Sequence, residues 1–166
     1  MIRQGAADSL VSFAQVLKIP VANTFMAKGV VPDADPLSLY TIGLLTRDYA
    51  TVVMEQADVV IAVGYDFVEY APCFWNARRD KRIVHIDGSP AEVDEHYRVE
   101  VGVLGDVRLS LEEVGRDLLP FANAWARACR TTVMDGFEAE LSEARSWPLR
   151  PQHVLADLRA ALDMIL

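Results

Sequence analysis

The stretch Asp58–Gly64, DVVIAVG, decides the fold. Its apolar residues run without interruption between an acidic residue and a glycine, where a strand with one wet face would alternate apolar with polar. A run of this kind suits a strand covered on both faces inside a parallel sheet. Arg82–Asp87 (RIVHID) and Val99–Gly105 (VEVGVLG) read the same way downstream. Ile19–Thr24 (IPVANT) gives a shorter strand upstream, with Pro20 near its entry, where a missing N–H costs little.

Helical periods fill the gaps between these runs. Leu10, Phe13, Ala14 and Leu17 recur at i, i+3, i+4 and i+7, so residues 5–17 form an amphipathic helix. Residues 25–45 read as loop. Thr46 is a candidate cap for a helix reaching about Gln56, with Tyr49, Val52 and Val53 on its inner face. Residues 72–78 read as helix, and Ser89 and Pro90 can open another short one. Asp106 caps a helix that carries Val107, Leu111, Val114 and Leu118 on one side. Strands alternating with helices call for right-handed βαβ units, and hence a doubly wound, Rossmann-like α/β fold with three αβα layers.

The character changes after Pro120. Phe121, Trp125, Ala128 and Thr132 point to a longer helix, and Trp147–Pro151 interrupts the chain like a linker. Pro151 starts a last amphipathic helix with Leu155, Leu158, Leu162 and Ile165 on one side. The organisation expected is a domain over 1–120, a helical linker over 121–150, and the opening of a further domain over 151–166. The chain opens on a helix where a doubly wound domain opens on a strand, and it ends as if entering another strand. Both ends therefore read as cut, and the sheet is expected to lack its first strand.

Composition narrows the function classes. The net charge of −8 argues against a nucleic-acid partner, since phosphate binding needs a basic surface. The cationic cluster Arg78, Arg79, Lys81 and Arg82 reads as a solvated loop ahead of a strand, with a nucleotide phosphate clamp as the functional alternative. Cys73 and Cys129 form no CxxC and have no histidine pair nearby, which suits a reducing cytoplasm. No signal peptide is visible, and no apolar run approaches the roughly 20 residues of a membrane span.

Ligands of an open parallel sheet bind outside the carboxyl ends of its strands. Those ends are Thr24–Gly29, Gly64–Phe67, Asp87–Ser89 and Gly105–Val107. The candidate cofactor-binding residues are accordingly Thr24, Phe25, Met26, Gly64, Tyr65, Asp87 and Asp106. Asp87 could bond a ribose hydroxyl, whereas Asp106 reads first as a helix cap. His85 reads as a core histidine within a strand, and His96 and His153 as surface residues. No Ser–His–Asp set, activated nucleophile or carboxylate pair at metal spacing can be assembled, so neither a catalytic nor a metal-ligating residue is assigned.

These segments resemble a known family. Pro20–Gly29 (PVANTFMAKG) is similar to a P-V-x-x-T-x-M-x-K-G stretch in the central domain of thiamine-diphosphate enzymes. Ala57–Gly64, then Ile83–Asp87 with Pro90–Glu92, then Gly105–Asp106 match that domain in order and spacing. The resemblance runs from about Ile2 to Leu119. It implies the central domain of an acetolactate synthase-like enzyme, of the DHS-like NAD/FAD-binding fold type, whose full-length form condenses two pyruvates to 2-acetolactate and CO2. Thiamine diphosphate and Mg²⁺ would be held by the flanking pyrimidine- and diphosphate-binding domains, and the parent would be a homo-oligomer. Arg150–Leu166 resembles the opening helix of the diphosphate-binding domain. Phe25, Met26 and Phe67 become candidates for one wall of a substrate channel.

Gly64–Asn76 (GYDFVEYAPCFWN) resembles the catabolic, flavin-independent kind of acetolactate synthase. Flavin-binding relatives carry an arginine where Asp66 stands, and a carboxylate beside a diphosphate is repulsive. FAD is thereby disfavoured, and Glu69 adds to the repulsion. The alternatives are an FAD- or ADP-binding module, or the central domain of a glyoxylate carboligase, an oxalyl-CoA decarboxylase or a sulfoacetaldehyde acetyltransferase.

Overall fold

The computed structural model describes residues 5–43, 48–118, 123–143, 145 and 147–163. Among the described residues there are five strands, β1 (Val21–Asn23), β2 (Ser38–Thr41), β3 (Val59–Val63), β4 (Arg82–Asp87) and β5 (Val99–Leu104), with no helix between β4 and β5 and only a 3₁₀ turn between β1 and β2. The helices are α1 (Ala7–Leu17), α2 (Tyr49–Gln56), α3 (Pro72–Trp75), α4 (Val107–Asp117), α5 (Asn123–Ser142) and α6 (Pro151–Asp163). Every strand pairing is parallel, as the uninterrupted apolar runs require. The strands form two groups, β1 beside β2 and β3–β4–β5 in that order.

The central strand of the larger group, β4, feeds two cores from its opposite faces. Ile83, 0% exposed, joins Leu39, Val53, Trp75, Tyr97 and Val133 beneath α2, α3 and α5. Ile86 points the other way, into Leu10, Phe13, Leu17, Val107 and Leu111 of α1 and α4. Helices thus cover both faces, giving the αβα sandwich.

Several local expectations change. Residues 25–45 contain β2, and its pairing with β1 was hidden in a short segment flanked by Pro36 and Gly43. Helix α2 is capped by Asp48, whose carboxylate accepts from Thr51 N–H (2.9 Å) and Thr51 Oγ1 (2.8 Å) and also holds Gly43 N–H (2.7 Å). The candidate cap Thr46 lies outside the described residues. Ser89 and Pro90 open no helix. Asp87 and Asp94 turn the chain by accepting from the N–H groups of Ser89 and His96, and the buried Tyr97 ring pins the segment.

The long helix α5 buries Ala126, Cys129 and Val133, while Trp125, Ala128 and Thr132 are exposed and Phe121 lies outside the described residues. That buried face is set by what α2 and β2 offer. Gly136 meets the Tyr49 ring so closely that a Cβ there would overlap it. Arg130 lies 4.3 Å over the Tyr40 ring, donates to Tyr40 Oη (2.7 Å) and the Asp33 carbonyl (2.9 Å), and bonds the Ser38 carbonyl. Tyr40 has φ 62°, a costly conformation for a residue with a side chain, so this clamp holds a strained corner in place.

The cationic cluster is spent locally. Lys81 is buried and donates to the Ala57 and Glu55 carbonyls at the end of α2, where a cation is favoured. Arg82 pairs with Glu100 and Arg79 with Glu95. The group precedes β4, so it sits at the opposite end of that strand from the Asp87 turn, and the phosphate-clamp alternative finds no support. In α6, Leu155, Leu158 and Leu162 are exposed, while Ile165 lies outside the described residues.

Gly136→Val is expected to destabilise the chain by about 1–3 kcal/mol through overpacking against Tyr49. Gly102→Ala, whose added Cβ meets nothing closer than 3.9 Å, should stay within about 0.5 kcal/mol of the parent. Urea unfolding of the two variants checks this, and equal midpoints would refute the close fit.

Candidate functional site

The strand ends converge because the β3–β4–β5 ladder is in register. Val63 pairs with Ile86, and Asp87 with Leu104, so the turns that follow lie side by side. The Gly64 N–H reaches the Ile86 carbonyl (2.9 Å), and the Gly105 N–H reaches the Asp87 carbonyl (2.9 Å). Gly64 leaves β3 with φ 58°, a left-handed turn that glycine adopts at little cost.

Each candidate residue has a definite place. Thr24 is extended and starts a single 3₁₀ turn over Phe25–Ala27. Phe25 and Met26 on that turn are 62% and 64% exposed. Thr24, Gly64 and Tyr65 line one apolar cleft of about 790 Å³ that runs between β1 and β3. Asp87 and Asp106 lie on the neighbouring turns, outside that cleft. One Asp87 oxygen holds Ser89 N–H (3.0 Å), and one Asp106 oxygen caps α4 through Leu109 N–H (2.9 Å).

Two features were not legible at the level of sequence. Glu69 Oε2 accepts from the Met26 N–H (3.1 Å), tying the loop after β1 to the loop after β3 across the cleft mouth. Behind this tie lies an aromatic cluster. The Tyr65 and Phe67 rings pack on Tyr97 at 5.4 and 5.0 Å, and Trp75 stands edge-on to both Tyr65 and Tyr97. Trp75 Nε1 donates to Tyr65 Oη (3.0 Å), and that hydroxyl donates in turn to the Tyr70 carbonyl. Burial pushes the Tyr65 and Tyr97 phenols up, far from any acid–base role near neutrality. The aromatic density of Tyr65–Trp75 was the available signal, while Tyr97 follows a charged stretch with no periodic pattern of its own.

The histidines divide differently from expectation in one case. His85 is buried with Nδ1 2.7 Å from Tyr97 Oη, a satisfied core histidine, and burial holds its pKa below the usual histidine range despite nearby Asp87. His96 is half-buried. His153, expected at the surface, is 3% exposed in the first turn of α6, which packs against α5. Amphipathic reading had placed the inner face of that helix on its leucines.

The rim is acidic. Asp66, Glu69, Asp87 and Asp106 all belong to these loops, with Lys28 following the 3₁₀ turn. Asp66 is exposed and turns its own loop through the Val68 N–H (2.9 Å). Among the described residues, no group of three or more His, Cys, Asp or Glu is placed to hold a metal ion. Among the same residues, no helix is long and apolar enough to cross a membrane. The arrangement offers shape and apolar contact, with no assembled nucleophile or base among the described residues.

Residues 1–114 match the family described as thiamine pyrophosphate enzyme, central domain. The chain is 28% identical to an acetolactate synthase of Bacillus subtilis over 98% of its own length and 30% of the relative's. A probable acetolactate synthase large subunit of Methanocaldococcus jannaschii is 27% identical over 99% of the chain and 28% of the relative. An acetolactate synthase large subunit of Parasynechococcus marenigrum is 31% identical over 93% and 26%. The chain therefore spans less than a third of the length of these relatives.

A lowered His85 pKa has a defined consequence for stability. As pH falls below about 6.5 the unfolded chain takes up a proton at this imidazole that the folded chain resists, so stability drops as pH drops. The slope from this group is at most about 1.4 kcal/mol per pH unit, and it vanishes above the unfolded pKa. His85→Asn should flatten the fall in urea midpoint between pH 7.5 and 5.5. Parallel pH profiles for the two proteins would show that His85 titrates alike folded and unfolded.

Proposed function

The chain belongs to the thiamine pyrophosphate enzyme central-domain family, and on that premise we propose that it is the central, non-catalytic domain of an acetolactate synthase-like enzyme. The complete enzyme would condense two pyruvates, releasing CO2, to give 2-acetolactate. The observation that carries this reading is the run of acetolactate synthases matching more than nine-tenths of the chain in unrelated organisms.

The residues present do not fit thiamine diphosphate and its metal ion: the rim is anionic, and no metal-ligating group exists among the described residues. The cofactor and Mg²⁺ would be held by the pyrimidine- and diphosphate-binding domains of the same polypeptide. Residues 1–120 would supply the scaffold between them, residues 121–150 the connection, and residues 151–166 the start of the diphosphate-binding domain. The mouth formed by Thr24, Phe25, Met26, Gly64 and Tyr65, with Asp87 and Asp106 on the adjoining turns, would face those domains. Phe25 and Met26 are exposed enough to form a wall against them.

Neither does FAD or ADP fit. A diphosphate at the mouth would meet Asp66, Glu69 and Asp87, and repulsion there opposes binding. This supports the flavin-independent type. The parent works, in this reading, as a cytoplasmic homo-oligomer; the two free cysteines suit a reducing compartment.

The complete gene product, supplied with pyruvate, thiamine diphosphate and Mg²⁺, is expected to release CO2 and form acetolactate. Absence of acetolactate refutes the assignment. The 166-residue chain alone should show no turnover, and calorimetry should detect no micromolar affinity for thiamine diphosphate, FAD or ADP. Micromolar FAD binding would overturn the flavin-independent reading.

A further inference from the structure

The Phe25–Ala27 turn lacks a cap of its own. Its internal bonds run from Ala27 N–H to the Thr24 carbonyl (3.0 Å) and from Lys28 N–H to the Phe25 carbonyl (3.3 Å). The N–H groups of Phe25 and Met26 come ahead of those bonds, and like the first donors of any helical turn they have no acceptor inside it. Thr24 holds the position from which a side-chain oxygen ordinarily accepts from such a donor, yet it makes no capping bond. Glu69 supplies the missing acceptor from 43 residues away, with Oε2 3.1 Å from the Met26 nitrogen.

The two sides of this bond differ in what else holds them. The Glu69 N–H donates to the Asp66 carbonyl (3.3 Å) and the Val68 N–H to Asp66 Oδ1 (2.9 Å), so the loop is wound on Asp66. Tyr70, the next residue, is buried, with its carbonyl bonded by Tyr65 Oη and its hydroxyl 3.3 Å from Thr51 Oγ1. The turn opposite has far less. Phe25 and Met26 are exposed, and Ala27 is the residue of the turn that packs against the core beneath α1 and α4. A single 3₁₀ turn held at one end is marginal by itself. Glu69 thus joins a braced loop to a loosely held turn, and the placement of Phe25 and Met26 follows the braced side. No ion pair joins Glu69 to another described residue, so its carboxylate acts here as an acceptor rather than as a charge partner.

Resting on the reading of Phe25 and Met26 as a wall of the substrate channel, we propose that Glu69 is a positioning residue of the acetolactate synthase-like enzyme. By capping the turn across the cleft mouth, it fixes where those two side chains stand against the bound 2-oxo acid. Phe25 and Met26 carry neither charge nor a transferable proton, so what they contribute is shape and apolar contact. Contacts of that kind act alike on bound substrate and transition state, and their loss raises KM while kcat is kept. The turn requires only an acceptor, and a glutamine carbonyl in the same place offers one.

The complete gene product tests this with pyruvate as substrate. Glu69→Ala is expected to raise KM about fivefold and hold kcat within about twofold, as lost uniform binding does. Glu69→Gln should bring KM back to within about twofold of the parent through its side-chain carbonyl. In the 166-residue chain, Glu69→Ala should speed hydrogen exchange at the Met26 amide about fivefold, while the Ile83 and Ile86 amides of β4 keep the parent's rate and report an intact fold. A Glu69→Ala enzyme with the parent's KM overturns the proposal even where the Met26 amide exchanges faster, because the turn then keeps its place without the bond. Alanine and glutamine variants with equally raised KM overturn it by assigning the effect to lost charge. A fall in kcat at constant KM overturns it as well, since apolar placement does not act that way. An unchanged Met26 amide in Glu69→Ala removes the tie itself. Failure of the underlying reading shows separately: the parent enzyme then forms no acetolactate, and the substrate-facing role falls with it whatever the Met26 amide reports.

Discussion

The structure depends on the opposite-facing pair Ile83 and Ile86 in β4. One strand with hydrogen-bonded neighbours on both edges sends one side chain into each of the two cores, so neither helical layer can pack without the other. The continuous apolar character of β4 follows from this double duty, and so does the place of His85 between them. An imidazole can occupy that position because Tyr97 meets Nδ1 and the charged form is suppressed by burial. The ladder then aligns Gly64, Asp87 and Gly105, and the rim of turns is a consequence of register rather than of any ligand.

Much of this was legible in the sequence, for a physical reason. Strands covered on both faces announce themselves as apolar runs, and β3 and β4 did so, whereas the largely exposed β5 was legible from Val99, Val101 and Val103 alone. Helices α1 and α4 kept a strict 3.6-residue period because each packs one face on the sheet and the other faces water. What failed to show had little local signal. Ser38–Thr41 is half polar and short, and its strand character comes from β1 beside it. The inner face of α5 has no local signal because its choice depends on Tyr49, Tyr40 and Ser38, all far away in sequence. Ser89 and Pro90 looked like the opening of a short helix, yet Asp87 and Asp94 spend their carboxylates on turns instead.

The candidate site divides along the same line. Turn glycines and capping aspartates are local features, so the rim could be read directly, and Asp106 proved to be the helix cap its position suggested. The tie from Glu69 to Met26 spans 43 residues, and the Tyr97 cluster joins three separate segments. Such contacts have no periodicity to betray them. They decide the character of the mouth nonetheless, because they brace two exposed apolar residues, Phe25 and Met26, on a rigid and anionic rim.

The clamp of Arg130 on the corner at Tyr40 crosses the border of the family match. The family match ends at residue 114, whereas the guanidinium that satisfies the Ser38 and Asp33 carbonyls comes from α5, beyond that limit. A polypeptide cut at the end of the match would leave the corner strained and uncapped, and would strip the cover from Leu39 and Val53. The contacts that hold this corner run past the family match into α5, so sequence kinship and side-chain packing have different borders here.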